Sequence, residues 1–250
     1  MNEAQRRAWQ ALQIGPVWTS VVPGPSRMSG ASQASEVSGV VQASAVSLVP
    51  AEIASEVPGW SDLRDQVLAC QRCALAQGRT QVVFGSGPAP APWMVVGEAP
   101  GEQEDLQGTP FVGPAGQLLD QMLAAIDVDR AREVFVANVL KCRPPRNRDP
   151  QPDEVAKCSP WLQAQIAAVR PRIILAVGRF AAQTLLQTDT TIGKLRGVVH
   201  ALPQIEHDGA GAPSIPVVVT YHPSYLLRSP SEKGKAWQDL LLARGLMNAA

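Results

Sequence analysis

Four short runs of unbroken apolar character stand out beyond residue 90, at 93–97 (WMVVG), 133–139 (EVFVANV), 172–178 (RIILAVG) and 216–221 (PVVVTY). They do not alternate with polar positions, which predicts strands buried on both faces. Helical spacing separates the first three, over 115–126 and over 153–169, the latter ending before Pro171. Further helices are predicted at 60–76, with Leu63, Val67 and Leu68 on one face, at 179–187 and at 231–247. Strands alternating with helices make a parallel sheet covered on both sides. The expected fold class is α/β, a three-layer αβα sandwich around a four-stranded parallel sheet.

Ahead of this pattern the chain changes character. Residues 3–14 can form a short amphipathic helix carrying Trp9, Leu12 and Ile14, and residues 1–18 are a candidate peptide for docking on a protein partner. Residues 19–58 hold nine serines, Pro23, Pro25, Pro50 and Pro58, and no aromatic residue, the composition of a flexible linker. The folded domain is expected over 59–250, beginning near Trp60. Composition adds less. Basic and acidic residues cancel at 22 each, so only local clustering can mark a nucleic-acid partner. No run of 18 apolar residues signals a membrane span, and Met1–Arg7 is not followed by an apolar h-region, so the expected location is cytoplasmic. In that compartment four cysteines are ligands or thiols before they are disulfides.

In a parallel sheet the carboxyl ends of the strands point the same way and share one crevice. The first end carries Gly97, Glu98, Ala99, Pro100 and Gly101, followed by Glu102, Glu104 and Asp105 and closing on Pro110-Phe111-Val112-Gly113. Its glycines and prolines predict a tightly turned loop. Four carboxylates in so short a stretch argue against a plain phosphate cradle. The second end carries Asn138, either a capping side chain or a reader of an amide-like edge. It continues into the basic segment Lys141, Arg143, Arg146 and Arg148, stiffened by Pro144 and Pro145 and suited to phosphate contact. The third end is Gly178-Arg179. The fourth is Tyr221-His222-Pro223-Ser224-Tyr225-Leu226-Leu227-Arg228, in which His222 is a candidate for the chemistry. Phe111 reads as a hydrophobic plug or as a stacking platform for a flat ligand.

The cysteines fall as Cys70-x2-Cys73, then Cys142 and Cys158, with none left over. That count suggests one four-thiolate site. Zinc and an iron–sulfur cluster both accept four thiolates. A redox Cys-x-x-Cys would leave Cys142 and Cys158 unexplained.

Taken together, Gly97–Gly101, Glu104-Asp105, Pro110–Gly113, Asn138–Pro145 and His222–Arg228 resemble a family 4 uracil-DNA glycosylase, over roughly residues 60–245 and in the same order. The resemblance implies an αβα sandwich that hydrolyses the bond between uracil and deoxyribose in DNA, single- or double-stranded, leaving an abasic site for base excision repair. It implies a monomer with a four-iron, four-sulfur (4Fe–4S) cluster on Cys70, Cys73, Cys142 and Cys158 rather than zinc. His222 would stabilise the departing uracil anion, helped by backbone N–H groups near Gly97. Asn138 would read the uracil edge and Phe111 would stack on the base. Glu104 would exclude thymine near the ring's 5-position. Glu98 is the available carboxylate for water or the sugar cation, since Ala99 stands where many superfamily members carry aspartate. Lys141, Arg143, Arg146, Arg148, Tyr225, Leu226 and Arg228 would meet DNA, with Leu226 and Leu227 split between a wedge and a core anchor. Pro114 departs from a basic position in many relatives. A non-catalytic or covalently trapping uracil-DNA binder on the same scaffold is the competing reading. The relatives that trap DNA carry a histidine-bearing basic insertion, which 141–148 lacks.

Overall fold

The computed structural model describes residues 59–203 and 214–249; the helix expected at 3–14 and the linker expected at 19–58 lie outside them. The sheet is built from β1 (Trp93–Gly97), β2 (Val134–Asn138), β3 (Ile173–Val177) and β5 (Pro216–Thr220), all parallel, in the order β2-β1-β3-β5. Each of the four falls on an apolar run named above. The absence of alternation has the expected cause. Trp93, Val95, Ile173, Leu175 and Val218 pack on one face of the sheet, while Met94, Val96, Ile174, Ala176, Val217 and Val219 pack on the other. Both parities of each strand are therefore withdrawn from water.

The first face is covered by α4 (Pro114–Ala125) and α10 (Lys233–Ala249), through Leu119, Leu123, Trp237 and Leu240. The second is covered by α1 (Trp60–Leu68), α6 (Pro152–Val169) and α7 (Arg179–Leu186), through Val67, Ile166, Ala182 and Leu185. Short helices α2 (Leu75–Gly78), α3 (Glu102–Gln107), α5 (Arg130–Glu133), α8 (Ile192–Leu195) and α9 (Pro223–Arg228) complete the connections. Helix starts follow local chemistry. Pro114 and Pro152 stand at first helical positions, where no N–H is required, and Gln151 N–H donates to Glu154 Oε2 at 2.9 Å.

Three elements differ from expectation. The sheet is one strand wider: β4 (Val199–Ala201) pairs antiparallel with β5. It is three residues long and mostly exposed, too short to show the apolar run of a buried strand. Helix 60–76 stops at Leu68, because the Cys70–Cys73 turn interrupts it before α2. The acidic stretch expected as loop contains α3, whose start is closed by Gly101 N–H donating to Glu104 Oε2 at 3.1 Å. Glycines and prolines bracket that helix without entering it.

Candidate active site

A cavity of about 460 Å³ opens at the carboxyl ends of β1, β2, β3 and β5. Glu98, Glu104, Phe111, Asn138, Arg148, Gly178, His222, Tyr225 and Arg228 all line it. Side chains from four strand ends and from loops over a hundred residues apart in sequence thus converge, because parallel strands present their ends on one edge.

Asn138 closes β2 opposite Gly97 of β1. It is 2% exposed, and its Oδ1 is buried without a hydrogen-bond partner among the described residues. An orphaned buried acceptor costs roughly 1–3 kcal/mol, a cost relieved by a ligand N–H. A Cβ at Gly97 would collide with Asn138 Oδ1 and lie 2.8 Å from the Phe111 ring. Glycine is therefore what allows the amide and the ring to flank the same space.

His222 caps α9, accepting Ser224 N–H at its Nδ1 at 3.1 Å, with Ser224 Oγ also 2.8 Å away. A backbone N–H can only donate, so Nδ1 carries the lone pair and the ring proton sits on Nε2. The ring is half-buried in the cavity wall. That desolvation, with the Arg228 charge adding to it and Glu104 opposing it, pushes His222 down to about 4. The imidazole is therefore a neutral Nε2–H donor at physiological pH. It stacks on Phe111 with centroids 5.6 Å apart. Phe111, at φ 55°, is held in place by Arg130, which donates to the Pro110 carbonyl at 2.9 Å and the Phe111 carbonyl at 3.3 Å. No local signal pointed to Arg130, which lies about twenty residues from its targets.

Glu98 is half-buried and pushed up to about 7, first by desolvation and then by the Asp149 charge, with Arg179 opposing. Asp149 pairs with Arg179 at 3.0 Å across the cavity rim. Asp149 had drawn no attention in the sequence, being one acid in a polar loop.

A second, smaller cavity is lined by Cys70, Cys73, Cys142 and Cys158, with Arg79, Lys141 and Trp161. Donors face three of the sulfurs: Trp161 Nε1 to Cys70 at 3.3 Å, Arg79 Nη1 to Cys142 at 3.2 Å, and Lys141 N–H to Cys158 at 3.4 Å. Burial raises the Cys142 thiol and pushes Cys158 up to about 11. Among the described residues, no group of three or more His, Cys, Asp or Glu side chains is arranged to hold a single metal ion.

A family profile described as "Uracil DNA glycosylase superfamily" matches residues 84–241. The chain belongs to the uracil DNA glycosylase superfamily. It is 43% identical to the type-4 uracil-DNA glycosylase of Archaeoglobus fulgidus over 173 residues, covering 68% of this chain and 83% of that protein. It is 41% identical to the type-4 enzyme of Thermotoga maritima over 170 residues, again 68% and 83% of the two chains. A type-5 uracil-DNA glycosylase of Pyrobaculum aerophilum is more distant, at 31% identity over 67% of this chain and 84% of its own.

In this member of the uracil DNA glycosylase superfamily, two residues expected at a DNA surface are placed elsewhere. Lys141 is 2% exposed and its ammonium is spent inside the protein, on the Asn138 carbonyl at 2.7 Å and Gln165 Oε1 at 2.6 Å. It cannot reach a phosphate. Burial lowers it to about 8, against the opposing pull of Cys158 and Cys142, so it remains charged at neutral pH. Leu226 is 1% exposed and packs in the core beneath α9, whereas Leu227 is 44% exposed and Tyr225 38%. Successive helical residues are rotated by about 100°, so Leu226 is the anchor and Leu227 takes the exposed position. Among the remaining cations, Arg146 is exposed, Arg143 bonds Asn147 at 2.8 Å, and Arg148 grips Glu154 at 2.6 and 2.9 Å while still lining the cavity.

Two acids of the acidic stretch bind backbone N–H groups of the protein. Asp105 is 3% exposed and accepts Thr80 N–H at 3.0 Å rather than facing solvent. Glu104 accepts three backbone N–H groups, from Gly101 at 3.1 Å, Val112 at 2.9 Å and Gly113 at 3.1 Å. It laces the two halves of the loop together while bordering the cavity. Glu104→Ala strands those three donors and is expected to destabilise the protein by about 1–3 kcal/mol. Thermal unfolding measures this; an unchanged midpoint refutes the lacing.

Proposed function

We propose that this chain removes uracil from DNA by hydrolysing its N-glycosidic bond, leaving an abasic site and free uracil. The orphaned Asn138 Oδ1 carries the reading. Uracil N3–H supplies the donor that this acceptor lacks, and its O4 can accept from the same amide. Cytosine presents a lone pair at N3 instead, so the acceptor meets an acceptor and stays unpaired. The base must leave the duplex stack to reach a cavity at the strand ends. Tyr225 lines the cavity and Leu227 is exposed two residues further along α9, apolar groups suited to a wedge that fills the gap, and Arg146 and Arg228 offer charge to flanking phosphates.

In the bond-breaking step, the N1–C1′ electron pair leaves with uracil and negative charge spreads to O2. The neutral His222 Nε2–H donates to that oxygen as the charge grows. A neutral donor suits this task, because an imidazolium would be a far stronger acid than the anion requires. A water oxygen then bonds to C1′ and its proton passes to Glu98. With Glu98 near 7, its ionised fraction falls as pH drops through about 7. The rate of excision is therefore expected to decline on the acid side with a midpoint near there. Glu98→Gln is expected to flatten that limb and lower the plateau by about 10²-fold. A wild-type profile flat from pH 5 to 8 removes Glu98 from the reaction.

The four cysteines suit a 4Fe–4S cluster. They line one cavity together, and hydrogen-bond donors face three of the four sulfurs. Buried thiols held high need a cationic centre to ionise. Bound there, the cluster would tie α1, the segment after β2 and α6 together, with any electron transfer confined to its iron. Purified protein is expected to be brown, to absorb broadly near 400 nm and to contain about four irons per chain. Stoichiometric zinc in a colourless protein overturns this assignment.

The function is tested by incubating the protein with a uracil-containing oligonucleotide and cleaving abasic sites with alkali. Product from uracil but not from thymine or cytosine controls supports it, and no product refutes it. A protein–DNA band that survives denaturant would favour the trapping reading. Residues 1–18 are carried as a candidate partner peptide, outside this chemistry.

A further inference from the structure

β2 lies at the edge of the sheet, so only β1 holds it on one side. On its outer side Val136 exchanges two backbone hydrogen bonds with Ser86, at 2.7 and 2.9 Å, in an isolated bridge. Two residues on, by the period of a strand, the Asn138 carbonyl faces the same outer side. Among the described residues no strand meets it there. Lys141 does: its Nζ donates to that carbonyl at 2.7 Å and to Gln165 Oε1 at 2.6 Å. Gln165, 0% exposed on α6, is itself oriented, because its Nε2 donates to the Phe84 carbonyl at 2.8 Å. The chain of bonds thus runs from the Phe84 carbonyl, in the segment before β1, through Gln165 and the ammonium, to the main chain of the residue whose amide borders the cavity.

A fully buried ammonium is a costly way to satisfy one carbonyl, since the ion must give up its water. What it supplies is direction: a charge-assisted bond is shorter and stiffer than a neutral one. We infer that Lys141, oriented by Gln165, is a positioning residue for Asn138, replacing the missing neighbour strand and fixing the angle at which the amide meets the base. This rests on the uracil reading proposed above.

Single-turnover excision from a uracil-containing oligonucleotide, with enzyme in excess, tests it in full-length wild type, Lys141→Met, Gln165→Leu, Asn138→Ala and the Lys141→Met/Asn138→Ala double variant. Lys141→Met is expected to slow the chemical step about 10- to 100-fold, as misplacement of a reacting group does. DNA affinity should move far less, and iron content should be unchanged. In the Asn138→Ala background the same substitution should add less than about twofold, because its effect runs through that amide. Equal slowing in both backgrounds, or a folded Lys141→Met with wild-type rate, overturns the inference. Should Lys141→Met fail to fold, Gln165→Leu keeps the lysine and must show the same non-additivity with Asn138→Ala. A wild type that releases no uracil overturns both readings, whereas additive effects in an active enzyme overturn this one alone.

Discussion

Replacing His222 by alanine is expected to lower the excision rate about 10²- to 10³-fold, the usual consequence of losing one donor to a developing oxyanion. The substitution also removes the cap that receives Ser224 N–H at the start of α9, worth about 1 kcal/mol of stability. His222→Asn separates the two effects, because its short amide can still accept from Ser224 but cannot extend a donor to where Nε2 stood. Both variants should lose comparable rate, and only alanine should lose the cap. The pH dependence is equally specific. With His222 held near 4, it is neutral from about pH 5 upward, and no loss of rate traceable to it should appear until pH approaches 4. For stability the sign is the same: the folded protein resists charging this ring, so its contribution is present above the ordinary histidine value near 6.5 and is lost as pH falls towards 4. Near-wild-type rates in both variants remove His222 from the chemistry.

Gly97→Ala is expected to lower excision by about 10²-fold or more while leaving the fold intact. The added Cβ meets the far ends of two side chains, Asn138 Oδ1 and the Phe111 ring at 2.8 Å, and no backbone atom is among its nearest contacts. Side-chain ends can yield, so the chain still folds. They yield into the cavity, where the base must lie, and a displacement of about 1 Å at a reacting site costs on the order of 10²-fold. Unfolding temperature and excision measured together distinguish this from general damage. An active Gly97→Ala protein, or one that loses rate only in proportion to stability, counts against the arrangement of amide and ring around this glycine.

Much of the site was legible because parallel topology turns order along the chain into place. Once four apolar runs were strands separated by helices, Glu98, Asn138 and His222 had to emerge at one edge. What was not legible depended on which way a side chain turns after the strand ends. Lys141 stands in a run with Arg143, Arg146 and Arg148 and reads as one more cation. Its burial follows from the open edge of β2 and from Gln165, 24 residues further along. Leu226 and Leu227 are the same residue type in adjacent positions, and only the orientation of α9 on the core separates anchor from exposed tip. Glu104 looked like a pocket residue and proved also to be the lacing of its own loop, since three N–H groups converge on it from both ends of the segment.

The sequence by itself determined the layered α/β fold, the edge at which the site lies and the residue types that reach it, because hydrophobic periodicity and chain order are local properties that survive without coordinates. Tertiary structure alone decided the tautomer of His222, the raised pKa of Glu98, the inward turn of Lys141 and the orphaned acceptor of Asn138. Each of these depends on how much water is excluded and which distant groups fill the space, and neither quantity is written at any one position of the chain.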